Sequence, residues 1–171
     1  LISQDLKRPK VYGNSDYDYR NLLELKKVYA DVISTPWLWH TRMAVDFMKA
    51  GKYTGSEVFA ANTLEECWNL VNTHEETGSR LIIRKNINYS RDVLAVLNMV
   101  KQNVFGELVH FRCGYQHDLR GVKFNDGKTT YVKGFEFGKK DISKSKWRIQ
   151  HSLLRNADVY LTHDAGPIAG M

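Results

Sequence analysis

Between Tyr29 and Gln102 the sequence alternates three times between a short β-type run and an amphipathic helical stretch, with few residues between them. This alternation constrains the fold most. Parallel strands need a crossover between them, and a helix commonly supplies it. Strands are expected over Tyr29–Ser34, Tyr53–Phe59 and Leu81–Ile83, the first stopped by Pro36, which has no backbone donor. Helices are expected over Trp39–Ala50, ended by Gly51, then from Thr63 to Gly78, then from Ser90 to Gln102. Thr63-Leu64-Glu65-Glu66 fits a capping box, in which Thr63 and Glu66 satisfy backbone donors reciprocally. Leu64, Cys67, Trp68 and Val71 share one helical face, as do Val93, Val96, Leu97 and Val100. Leu81-Ile82-Ile83 is wholly apolar, as a strand covered on both faces should be. Ahead of these elements, Asp16 is placed to cap a helix through Tyr19, Leu22 and Leu23.

The pattern changes after Gly106. Val109, Phe111, Cys113 and Tyr115 alternate with Leu108, His110, Arg112 and Gly114, a period of two that predicts a strand with one covered face. Asp118 to Ser145 has poor periodicity and reads as a long loop, a length at which loops are often functional. The alternation therefore indicates an α/β fold class, with parallel βαβ units of a doubly wound sheet.

The 171 residues are 43% apolar and 26% charged, a globular composition, and no run is long and apolar enough for a membrane span. The formal charge of +6 is concentrated: ten basic and three acidic residues lie between Arg120 and Arg155. Aromatics lie among them, yet no nucleic-acid recognition motif does, so a solvated loop is the expectation and nucleic acid is not. Two cysteines exclude a disulfide scaffold and a four-thiolate zinc site, and no His/Asp/Glu set has metal-ligand spacing. The chain begins with Leu and shows no signal-peptide pattern, which points to a processed or truncated piece.

Ligands of open α/β sheets bind beyond the carboxyl ends of the strands. Thr35-Pro36-Trp37-Leu38-Trp39-His40 follows the first expected strand, Glu57 lies at the end of the second, and Asn86 and Tyr89 follow the third. Each also has a plainer reading: Pro36 as a turn, His40 as a packing residue, Glu57 as a cap.

The runs TPWLWHTRMAVDFMKAGK, AANTLEECWNLV, GYQHDLRGVKFNDG and KWRIQHSLLRNADVYLTH together resemble the Gfo/Idh/MocA oxidoreductase-like proteins, and within them glycoside hydrolase family 109. The resemblance covers nearly the whole chain. It implies an incomplete doubly wound, Rossmann-like nucleotide-binding domain over residues 1–86, the start of an α/β sheet domain for substrate over 87–171, and NAD-dependent hydrolysis of terminal α-N-acetylgalactosaminides. In that chemistry a held NAD takes hydride from C3 of the sugar, a base removes the acidified C2 proton, the C1 group is eliminated, water adds, and the hydride returns. The resemblance further implies a glycan partner ending in N-acetylhexosamine, a homo-oligomer formed through the C-terminal sheet, and a periplasmic or exported location.

By the same resemblance, Thr35, Pro36, Trp39 and His40 match a Thr-Pro-x-x-x-His segment that lies against the cofactor. Glu57 matches an acidic residue at the nicotinamide end, and Asn86 and Tyr89 match an Asn and a Tyr after the last strand of the nucleotide domain. Tyr160 and His163 match a Tyr-x-x-His that faces the sugar, with His163 the best general-base candidate, since imidazole ordinarily titrates near pH ~6.5. Tyr89 and Tyr160 are positioned candidates for the same role, and would need a neighbouring cation to act as bases. His117, Asp118 and Arg120 either bind sugar hydroxyls or hold the start of the long loop.

The chain departs from the pattern in four respects. It has no Gly-rich turn after a first strand, the element that meets a dinucleotide's pyrophosphate. Phe59 stands where a small residue or Pro is usual, Arg84-Lys85 brings two cations before Asn86, and Asp164 replaces Gly, an unfavourable exchange if that position has φ > 0. Two alternatives therefore stand beside a glycosidase fragment: a truncated, non-catalytic pseudoenzyme that binds sugar or subunits, and an NAD(P)-dependent sugar dehydrogenase.

Overall fold

The computed structural model describes residues 9–123, 147–158 and 160–169. They form two compact units, Leu1–Arg84 and Lys85–Met171.

The first unit alternates strand and helix: β1 (Ala30–Ile33), α1 (His40–Lys49), β2 (Tyr53–Glu57), α2 (Leu64–Thr77) and β3 (Leu81–Arg84). The strands are parallel in the order β1-β2-β3, with Ile33 level with Ser56 and Ser56 level with Ile83. Each helix carries the chain one strand sideways, as in one half of a doubly wound sheet. Ile33 and Leu81 from the sheet meet Ala44, Val45 and Phe47 of α1 and Leu70 of α2 in one core cluster. Burial of each large apolar side chain there contributes about 1.5–3 kcal/mol.

Among the described residues, no helix of the first unit covers the opposite face of the sheet. Val32 is 61% exposed and Ile82 48%, and Tyr53 also faces solvent. The expectation that β3 is covered on both faces therefore fails, because α1 and α2 both pack on the face that carries Ile33. α2 brings a second correction. Its stripe Leu64, Cys67, Trp68 and Val71 is exposed, and the helix instead buries Leu70 and Thr73. Helical spacing identifies an apolar stripe but not what covers it.

Local signals set the ends of the helices. The Thr63 hydroxyl accepts from the Glu66 N–H at 3.1 Å. The return arm of the expected capping box differs: the Glu66 carboxylate takes the N–H and the side-chain amide of Asn62 rather than the Thr63 N–H. Gly78 ends α2 at φ +68, donating to the His74 carbonyl, and Gly51 follows α1 at φ +70. A 3-10 turn, Trp37–Trp39, leads from Pro36 into α1. β2 stops at Glu57, short of the expected Phe59, whose ring leaves the ladder and packs 4.4 Å from Trp37. The Asp16-capped helix is instead a 3-10 turn, Asp18–Leu22, with Tyr17 at its cap position and no side-chain cap.

The second unit opens with a 3-10 turn, Asn86–Tyr89, and continues with α3 (Arg91–Lys101), α4 (Arg120–Lys123), α5 (Trp147–Leu154) and α6 (Leu161–Ile168). The Ser90 hydroxyl caps α3 through the Val93 N–H. The strand expected over Leu108–Tyr115 does not form among the described residues: that stretch is irregular and Val109 is 88% exposed. A strand exists only as one member of a paired ladder. Most of the loop expected over Asp118–Ser145 lies outside the described residues, with the aromatics Phe124, Tyr131, Phe135 and Phe137. Asp164 lies in the first turn of α6 and its carboxylate accepts from the Ala165 N–H at 2.8 Å. Asn103 is the one non-glycine with positive φ among the described residues, so the concern about Asp164 does not apply.

Candidate functional site

In the first unit the candidate residues gather at the carboxyl ends of β1 and β2. Thr35 and Pro36 leave β1, and the Thr35 hydroxyl contacts the Met43 sulfur at 3.6 Å. Trp39 turns its ring to Tyr17, edge-on at 5.2 Å, with the Arg42 guanidinium over it. His40 is buried, its ring nitrogens against the carbonyl oxygens of Phe59 and Thr35. Glu57 ends β2 and pairs with Arg84, which ends β3, at 3.1 Å. The Arg84 stem passes over Gly55, 3.6 Å from where a Cβ on that glycine would stand, an ordinary packing distance. Both partners are partly exposed, so the pair contributes at most about 1 kcal/mol to stability. It nonetheless neutralises the Glu57 carboxylate at the strand ends.

In the second unit His117, Asp118, Arg120 and Tyr160 line one pocket of about 390 Å³, with Lys123 on its wall. Tyr115, which sequence reasoning missed, connects them. Its hydroxyl meets His117 Nδ1 at 3.1 Å. Its ring lies 4.6 Å from that of His163 and 5.9 Å from that of Tyr160, and the Tyr160 and His163 rings stack at 6.2 Å. The available signal was the Gly-Tyr-Gln-His-Asp run, read for its polar members and as a strand.

The Arg120 guanidinium grips both Asp118 oxygens at 2.7–3.1 Å and holds its carboxyl well below the usual carboxylate range. Asp118 is thereby fixed as a charged acceptor and is unsuited to taking up a proton near neutrality. That leaves the imidazoles and phenols as the proton-handling groups of this pocket. His163 carries a buried Nδ1 with no hydrogen-bond partner, and its ring also borders an apolar groove of about 600 Å³ walled by Val93, Val96, Phe111 and Ile168.

Asn86 and Tyr89 do not join this cluster. The Asn86 side chain stays within its own turn, accepting from the adjacent Ile87 N–H at 3.0 Å, and Tyr89 is 74% exposed. Their neighbour Asn88 packs on α6 instead, donating to the Gly166 carbonyl. Among the described residues no group of three or more His, Cys, Asp or Glu could hold a metal ion, and no helix is long and apolar enough to cross a membrane.

Residues 89–171 match the family of the glycosyl hydrolase 109 C-terminal domain. An alpha-N-acetylgalactosaminidase of Tannerella forsythia is 51% identical over 165 residues, 94% of this chain and 35% of the relative. A glycosyl hydrolase family 109 protein of Parabacteroides distasonis is 51% identical over 166 residues, 94% of this chain and 36% of the relative. The chain thus spans about a third of the length of the curated relatives it matches. Two solved structures share the fold. An oxidoreductase domain protein from Kribbella flavida has a TM-score of 0.55 at 24% identity, over 58% of this chain and 28% of that one. A myo-inositol 2-dehydrogenase from Lactobacillus plantarum has a TM-score of 0.52 at 16% identity, over 56% and 28%. The fold is Rossmann-like, of the kind found in oxidoreductase domains.

Proposed function

We propose that this chain, a relative of the glycosyl hydrolase 109 proteins with their C-terminal domain over residues 89–171, is a segment of an NAD-dependent glycosidase acting on terminal α-N-acetylgalactosaminides. One observation carries the reading: His163, Tyr160 and Tyr115 pack ring against ring beside a pocket walled by the Asp118–Arg120 pair. Aromatic faces suit the apolar face of a sugar ring, and a fixed ion pair suits its hydroxyls and acetamido group.

Part of a dinucleotide fits the residues present. Thr35, Pro36 and Glu57 stand at the carboxyl ends of β1 and β2, where open α/β sheets bind ligands. The Gly-rich turn that would cradle the pyrophosphate is not in this sequence, so the grip on the whole cofactor is assigned to the longer enzyme. When bound, NAD would supply reversible hydride transfer at C3 of the sugar. The chain's own task is proton handling and orientation. His163 would take the C2 proton, with Tyr160 as the neighbouring donor or acceptor. Tyr115 would hold the His163 ring by packing and His117 through its hydroxyl. Asp118 and Arg120 would orient the sugar without exchanging protons.

The test is to titrate N-acetylgalactosamine into the labelled chain and follow the side-chain signals of Tyr115, Tyr160 and His163. Shifts confined to this cluster are expected. Saturating sugar that moves none of them removes the sugar site from the chain. The complete reading frame containing this segment should hydrolyse a chromogenic α-N-acetylgalactosaminide without net NADH release, and net NADH with free sugar would favour a dehydrogenase. The Glu57–Arg84 pair is the observation that favours a non-catalytic relative, because it neutralises the acidic group at the nicotinamide end.

A further inference from the structure

The loops that follow β1 and β2 are tied together from inside the first unit. His40, 1% exposed, opens α1 between them. Its Nδ1 lies 2.9 Å from the carbonyl oxygen of Phe59 and its Nε2 lies 2.8 Å from that of Thr35. Two further bonds join the same loops. The buried Thr41 hydroxyl donates to the Ala60 carbonyl at 2.8 Å, and the Asn62 amide donates to the Trp37 carbonyl at 3.1 Å.

Loop carbonyls buried without a donor cost about 1–3 kcal/mol each, so a buried crossing of two loops needs a donor that reaches both. Imidazole carries nitrogens on two edges of one rigid ring, and serving both carbonyls takes the protonated ring, since the neutral ring has a single N–H; the donors of an amide or ammonium group all share one nitrogen. Residue 40 is thus filled by a side chain able to span two chain segments. Both nitrogens face inward, leaving neither for a ligand in the crevice beyond the strands.

We propose that His40 is a positioning residue. It brackets the Thr35-Pro36 loop and the Val58-Phe59 loop, and so sets the crevice between Thr35 and Glu57 without touching what binds there. The role differs from the cofactor contact that the sequence resemblance implies for this residue. The bracket is a property of the unliganded chain, and its bearing on a dinucleotide rests on the function proposed above.

Hydrogen exchange on the full 171-residue chain tests it. His40→Ala should speed amide exchange by about tenfold or more in both loops, 34–39 and 58–62, as loss of a buried hydrogen bond implies. Amides of β2 and α2 should keep their protection. His40→Gln, whose two N–H groups sit on a single nitrogen, should restore one loop and leave the other open. Opening of neither loop or one loop by His40→Ala, or restoration of both by His40→Gln, overturns the proposal. Should His40→Ala fail to fold, the unmodified chain decides. Two His40 ring N–H protons, both protected from exchange with water, support the bracket, and a ring that keeps only one overturns it. Adding NAD separates the two readings: a move of the His40 ring signals overturns the bracket, whereas no NAD effect anywhere counts against the proposed function alone.

Discussion

Gly166 has no room for a side chain, because Asn88 lies against it: a Cβ there would stand 2.9 Å from the Asn88 amide oxygen. The same asparagine donates to the Gly166 carbonyl at 3.4 Å. This contact seats α6, which carries His163, on the turn that carries Asn86 and Tyr89. Gly166→Ala should force the Asn88 amide aside and cost about 1 kcal/mol, the low end of overpacking, because the obstructing atom is the end of a side chain that can turn. The urea midpoint of the second unit measures it, and an unchanged midpoint would contradict the close packing. The Tyr115–His163 ring contact should loosen in parallel, visible as weaker proton–proton cross-relaxation.

Asp31 makes the first unit's stability depend on pH. Thr54 donates to its Oδ1 at 2.9 Å, while Oδ2 is buried without a hydrogen-bond partner. Burial pushes the carboxyl up to about 6, and the Thr54 bond opposes this only in part. In the unfolded chain the group titrates near ~3.9. Between those values the folded state binds more protons than the unfolded one, so the Asp31 contribution to stability falls as pH rises. Asp31→Asn carries no charge and should lack this slope. The difference in urea midpoint should move in the variant's favour between about pH 4 and pH 6. A pH-independent difference would exclude Asp31 as the source.

Parts of this architecture were legible because their causes are local. Ser90, Thr63, Gly51 and Gly78 mark helix ends through backbone groups within a few residues, and each acts where its chemistry says it should. What depended on distant partners was not legible. Leu64, Cys67, Trp68 and Val71 have the spacing of a core face and lie in solvent, and Leu108–Tyr115 has the period of a strand without a ladder. The candidate site divides in the same way. His117, Asp118, Arg120, Tyr160 and His163 were found as residues, but Tyr115, which touches three of them, became visible only through ring contacts.

The altered capping box at α2 predicts unequal effects. Thr63→Ala removes the acceptor for the Glu66 N–H and should cost about 1 kcal/mol, as N-cap losses do. Glu66→Gln keeps an acceptor for Asn62 and should cost less, while Glu66→Ala frees Asn62 and with it the side-chain bond to Trp37. Near-ultraviolet circular dichroism, which reads the Trp37–Phe59 packing, should change for Glu66→Ala more than for Thr63→Ala. The reverse order would refute a link from the cap to the loop.

Tyr19 and Asp46 fasten the segment before β1 to α1. The phenol donates to Asp46 at 2.7 Å, and Arg20 reaches the same carboxylate oxygen at 3.1 Å. Tyr19 is buried in the core cluster and Arg20 is largely exposed, so the two bonds differ in worth. Asp46→Ala strands a buried phenol and should cost about 1.5–3 kcal/mol, the range for hydrogen bonds to charged groups. Arg20→Ala should cost less than about 1 kcal/mol. Burial pushes the Tyr19 phenol up, and the Asp46 carboxylate pushes it further. Asp46→Asn should therefore lower the titration of Tyr19 while leaving it above the ordinary range, because burial is the larger cause. Carbon-13 shifts of the Tyr19 ring, followed through alkaline pH, measure it. A titration that holds still or rises in the variant would show that Asp46 does not set the phenol's proton affinity.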